Sequence, residues 1–176
     1  MRNQQLSLKP QDLVVLLKLT LEPKAPFSYA SLGKALSISA SEVHASLGRA
    51  RVARLLGPDE KGHIPIARES LQDLLLHGAR FVFPAVTGPM TRGVPTAHAS
   101  PAMRDFLVQS EEPPPVWPYV KGTVRGIALE PLYPTVPRAA EMDARLYDAL
   151  ALFDALRMGR SREREFASAE LAKLLA

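Results

Sequence analysis

The feature that most constrains this 176-residue chain is the placement of its prolines. Eleven of the 16 fall between residues 84 and 137, among them the run Pro113-Pro114-Pro115. Each proline fixes φ and removes a backbone donor, so no long helix and no central strand crosses that stretch unbroken. The flanks, 9–84 and 137–176, are rich in helix formers with apolar periodicity. Three parts are therefore expected: a helical unit at 1–84, a Pro-rich middle at 85–136 with short strands, and a C-terminal helical region at 137–176. The expected fold class is mainly α with small β content.

Helix signals are clear in the first part. Pro10, a favoured first-turn residue, opens a helix that runs to about Glu22, and Pro23 stops it. Leu13, Leu16, Leu17 and Leu21 form its apolar face. A second helix runs from about Ser28 to Leu36, with Ala30, Leu32, Ala35 and Leu36 inward. Ser39 and Glu42 then make a capping box for a third helix to about Val52, with Val43 and Leu47 inward. Two short apolar segments, 53–56 and 63–66, flank the turn formers 57–62 and predict a hairpin whose second strand, holding Pro65, stays at an edge. A further helix is expected from Arg68 to His77, ended by a left-handed Gly78, followed by a short strand at Arg80–Phe83. Further strands are expected at Val116–Tyr119 and Thr123–Leu129.

Helix, helix, short turn, helix and hairpin is the layout of a winged helix-turn-helix. Leu32, Ile38, Val43 and Leu47 take the inward positions, and Gly33 stands where only a small side chain allows close approach. Ser39, Ala40, Ser41, His44, Ala45 and Gly48 are left facing outward, with no large apolar group among them. Such a face fits a major groove about 12 Å wide. The segment SYASLGKALSISASEVHASLGRA (28–50), with the hairpin at 57–63, resembles the winged-helix transcription regulators of the MarR type. Gly33 departs from the alanine commoner there, and Ser37 from the usual turn glycine.

The resemblance implies a DNA-binding transcriptional regulator, a repressor, acting on double-stranded DNA as a homodimer. Ser41, His44 and Ala45 would meet base edges. Ser28, Tyr29, Lys34, Ser39, Arg49 and Arg51, with Lys61 and His63 on the wing, would lie against the backbone. Charge agrees with this reading. The net +4 comes wholly from residues 1–84, which carry 11 basic and 7 acidic side chains, while 85–136 (4 and 4) and 137–176 (7 and 7) balance. Charge confined to one region suits a polyanion.

In the C-terminal region, Leu146, Leu150, Phe153 and Leu156 recur at helical spacing, with Asp143 as N-cap and Gly159 as stop. Ser161 would cap a last helix to Leu175. This helical hairpin must bury its face in the chain's own core or on a twin subunit. Terminal helices make the dimer in the resembling regulators, so the four residues are expected at a dimer interface.

Other classes find little support. The chain has no cysteine, hence no disulfide, thiol nucleophile or Cys-ligated metal. No phosphate loop, metal-ligand spacing or nucleophile elbow occurs, so no enzyme, cofactor or metal is expected. No apolar run spans a membrane, and the start MRNQQLSLKP is unlike a secretory signal, which makes the cytoplasm the expected compartment. An effector pocket lined by Trp117, Tyr119 and Tyr133 has only aromatic content behind it. The alternative class is a protein-interaction module, antitoxin-like or a scaffold, using the same fold to bind a partner protein.

Overall fold

The computed structural model describes residues 7–22, 28–57, 64–104 and 112–176. The first helix, α1 (Pro10–Leu21), starts at its proline as expected. Its burial is wider than one face. Every residue from Asp12 to Lys18 is buried, Val14 and Val15 included. A helix covered on all sides is a central one, and α2 (Tyr29–Leu36), α3 (Ala40–Val52), α8 (Ala144–Met158) and α9 (Ser161–Leu175) all pack against it. One apolar core runs through all three parts of the chain.

That arrangement corrects the expected dimer interface. Leu146, Leu150, Phe153 and Leu156 are 0, 1, 0 and 4% exposed within the single chain. They belong to the core of the chain itself, where α8 packs against α9, α1 and α7. Polar ties hold the same joint. Asp143 caps α8 by accepting from the Leu146 N–H (3.0 Å) and also receives Lys18 Nζ of α1 (2.7 Å). The start of α9 differs in a detail: its N-cap is Arg160, with Ser161 already in the first turn.

Between α2 and α3 the chain turns at Ser37, whose φ of 56° and ψ of 40° lie in the left-handed region. An L side chain is disfavoured there, which explains why glycine is commoner at such a corner. Ser37→Gly is expected to raise stability by roughly 0.5–1 kcal/mol, a gain of a few degrees in melting temperature. An unchanged thermal midpoint would show that the Ser37 side chain makes a compensating contact. Gly33 closes the corner from the other side, since a Cβ there would stand 2.7 Å from the Ile38 carbonyl oxygen. Of the inward candidates on α2, Leu32 and Leu36 are buried, while Ala30 is exposed.

After α3 the segments at 55–57 and 64–67 pair through a bridge between Leu56 and Ile66. The Gly57 N–H donates to the Pro65 carbonyl (2.8 Å) and the Ala67 N–H to the Leu55 carbonyl (3.0 Å). The tip, residues 58–63 with Lys61 and His63, lies outside the described residues. The next helix does not stop at Gly78. α4 (Arg68–Asp73) continues through a wide π-type turn at Leu74–Gly78, where the Ala79 N–H reaches back to the Leu74 carbonyl, into α5 (Ala79–Val82). Gly78 has a φ of −110°, so it is no left-handed cap, and the strand expected at Arg80–Phe83 is helical up to Val82.

The Pro-rich middle folds as a three-stranded closed barrel preceding α7 (Val136–Met142). β2 (Pro115–Pro118) and β3 (Val124–Leu129) match the expected strands; the third is β1 (Thr87–Pro95), which the prolines disguise. β1 pairs antiparallel with both others, and β2 pairs parallel with β3. Pro89 falls in the register shift between Thr87 and Met90, and Pro95 ends the strand. Both thus sit where a missing donor does least harm. Such tight closure depends on Gly93 and Gly126, whose Cβ atoms would fall 2.0 and 1.9 Å from the Trp117 and Pro114 carbonyl oxygens.

The barrel docks on α8 through buried polar groups. Trp117 donates its indole N–H to Asp154 Oδ2 (2.6 Å), and Thr96 donates its hydroxyl to the same oxygen (2.8 Å). Arg157 donates Nε and Nη2 to Asp154 Oδ1 (3.0 and 2.6 Å). The Tyr147 hydroxyl donates to the Pro95 carbonyl (2.6 Å). No helix among the described residues is long and apolar enough to cross a membrane.

Candidate nucleic-acid interface

The outward face of α3 is built from its N-terminal turn. Ser39 takes a β conformation and its hydroxyl accepts from the Glu42 N–H (3.1 Å), while Glu42 Oε2 accepts from the Ser39 N–H (2.9 Å). This box sets the helix phase. Val43, Ser46, Leu47 and Ala50 point inward, and Ser39, Ala40, Ser41, His44 and Ala45 are left exposed. Gly48 is half-buried. The structure therefore brings together Ser41, His44 and Ala45 on one surface, as the periodicity implied.

Tyr29 and Lys34 on α2 are exposed. The Tyr29 ring meets the His44 ring edge-on, with centroids 5.3 Å apart and planes at 75°. That contact restricts the imidazole and gives the face a firm aromatic corner. Ser28 is the N-cap of α2, its hydroxyl accepting from the Ser31 N–H (3.0 Å). Arg51 is half-buried near the end of α3.

Arg49 stands apart from the role expected of it. Its Nε and Nη2 donate to Asp12 Oδ2 (2.8 Å) and Oδ1 (2.6 Å), a forked pair whose side chains are 10% and 0% exposed. The hydrogen bonds to Asp12 raise the Arg49 pKa against the opposing effect of burial. The guanidinium joins α3 to α1, which corrects its assignment as a phosphate contact. Lys18 and Arg68 are similarly engaged inside the fold, with Glu22 and Asp143 and with the Leu175 carbonyl. Part of the positive excess of residues 1–84 is therefore structural.

Tyr133 lines no pocket with Trp117 and Tyr119 but joins two helical segments. Its hydroxyl donates to Glu42 Oε1 (2.6 Å), tying the segment before α7 to the first turn of α3. Tyr119 donates to Glu141 Oε2 (2.9 Å) and Trp117 is buried against Asp154, so the three aromatics serve three different joints. The Tyr133 hydroxyl and the Ser39 donors hold the Glu42 carboxyl down at about 2. A carboxyl depressed in the folded state adds stability above its ordinary pKa, and that stability is lost as pH falls through the folded value. Unfolding midpoints are thus expected to decline between about pH 4.5 and 2. Glu42→Gln should flatten that part of the profile relative to the parent. A variant profile parallel to the parent's would mean the box carries no linkage.

No family model, no curated protein and no solved structure matches this chain.

Proposed function

We propose that the chain is a DNA-binding transcriptional regulator that places α3 in the major groove through a winged helix-turn-helix. The observation that carries the reading is the composition of the exposed α3 face. Ser41, His44 and Ala45 are small or hydrogen-bonding, they stand on a helix whose opposite side is fully buried, and Tyr29 borders His44. A serine and an imidazole can pair with base edges, and an alanine methyl can meet a thymine methyl. Helix dipole and exposed N–H groups at the α2 start, with the Ser28 cap, favour a phosphate there. The short pairing at Leu56 and Ile66 supports a wing at the next backbone.

The expected homodimer loses its stated contacts, and a second copy would need another surface. Among the described residues, Phe81, Val82 and Val86, 70, 59 and 53% exposed, are large apolar groups near one another in sequence, with the Arg80 guanidinium over the Phe81 ring. They also favour the second reading, a partner protein bound by this fold.

The deciding experiment is a mobility shift with DNA from upstream of the chain's own gene. Salt-sensitive retardation is expected, and His44→Ala should change the preferred sequence more than the affinity for mixed DNA. Equal loss on every sequence would move His44 from base to backbone contact. Co-purification with a neighbour-encoded protein and indifference to that DNA would establish the partner-binding class instead.

A further inference from the structure

The middle of the chain has equal numbers of basic and acidic residues, yet two of its arginines meet across a strand pair. In the register of β1 and β3, Arg92 stands directly opposite Arg125. Residues directly opposite on antiparallel strands share a face, and like charges in that position oppose the pairing. Both arginines are exposed, and no acid is paired with either among the described residues. Lys121 is exposed in the turn that packs against this end of the barrel, where Gly122 abuts Gly93 and the Tyr119 N–H donates to the Arg92 carbonyl (3.1 Å). Of the described acids of the middle, Glu112 pairs with Arg160, and the Glu130 N–H meets the Val86 carbonyl beyond the far end of β3. Three cations therefore gather at one end of the barrel.

This end is joined to the α2–α3 face. The Tyr119 hydroxyl is bonded to Glu141 of α7, α7 packs on α2, and Tyr133 just before α7 is bonded to Glu42 of α3. We propose that the Arg92–Arg125 ribbon, with Lys121, is a second nucleic-acid contact that grips backbone phosphates flanking the site met by α3. Guanidinium groups suit phosphate oxygens through paired N–H donors, and a bound phosphate would relieve the repulsion between the two arginines. The inference rests on the DNA-binding reading and extends it to a longer footprint.

Fluorescence anisotropy with a mixed-sequence duplex of about 30 base pairs, roughly three helical turns, tests it across a salt series. The full chain is compared with Arg92→Thr/Arg125→Thr, with Arg92→Glu, and with Ala45→Glu on α3. The double variant is expected to bind about tenfold more weakly at low salt, with the slope of log K against log salt smaller by about 2. Its melting temperature should stay level or rise. Arg92→Glu sets an acid opposite Arg125, keeps the barrel paired, and should weaken binding as well.

Binding and slope equal to the parent's in both ribbon variants overturn the ribbon while leaving the α3 reading intact. Loss in the ribbon variants with none in Ala45→Glu supports the ribbon and overturns the α3 reading. A parent that ignores the duplex but is held by polyglutamate, and released by the ribbon variants, overturns the nucleic-acid occupant in favour of an acidic protein.

Discussion

Arg49→Ala is expected to cost about 3–5 kcal/mol of folding stability, the range for breaking a buried ion pair from one side. The reason lies in Asp12, which is fully buried and would keep only the Lys9 N–H (2.8 Å) as a partner. A carboxylate left without its cation in such a place either stays charged at high cost or takes up a proton. The Ser46 hydroxyl, now contacted by Arg49 Nη2 at 3.2 Å, would lose a donor too. Urea unfolding should show the loss as a lower midpoint with an unchanged slope. Asp12→Asn in the same background should recover a large part of it, because the amide still accepts from Lys9 and carries no charge. If Arg49→Ala instead unfolds like the parent and weakens binding to every duplex alike, the residue is a phosphate contact and the pair is incidental.

The second large effect belongs to Asp154, on which the barrel and the helices meet. Burial pushes its carboxyl up from the ordinary value, opposed by Arg157 and by the Thr96 and Trp117 donors. Each oxygen accepts two hydrogen bonds, Oδ2 from Thr96 and Trp117 and Oδ1 from Arg157. Asp154→Asn cannot reproduce this. Whichever way the amide is turned, its NH₂ faces a pair of donors, and Arg157 loses its charged partner. A cost of about 3–5 kcal/mol is expected. Trp117 is the chain's single tryptophan, so its emission reports the site directly. The variant should show altered Trp117 emission under native conditions and an earlier fluorescence transition in urea. A parent-like emission spectrum together with a loss below about 1 kcal/mol would show that the donors around residue 154 accommodate an amide as well as the carboxylate.

Both clusters join residues 37 or more apart in the chain, which local patterns do not connect. Pro10, the Ser39–Glu42 box and Asp143 are local devices, each acting within a turn of its own position, and each does in the fold what its residue type predicts, while Gly159 ends α8 in an extended rather than a left-handed conformation. The exposed side of α3 was legible for the same reason, since helical periodicity places Ser41, His44 and Ala45 once the inward residues are known. β1 was not legible, because its prolines argue against a strand unless the register shift is already known. Nor was the continuation of α4 past Gly78, which depends on a π-type turn in which no residue announces itself.

The larger surprises concern charge and apolar faces. The excess of +4 in residues 1–84 is a property of sequence, but Lys18 pairs with Asp143, 125 residues away, and Arg49 is held by Asp12, 37 away, so that fewer of its cations are left for a partner. Conversely, the balanced middle presents Arg92 and Arg125 side by side because strand register sets them opposite. The periodicity of Leu146, Leu150, Phe153 and Leu156 required that something cover them, and only tertiary packing decided that the chain's own core does. Local conformation was determined by neighbours in the chain, where caps, prolines and helical period act over a few residues. Which faces and charges remain for a partner was decided by the tertiary structure, because burial and ion pairing depend on groups that sequence separation hides.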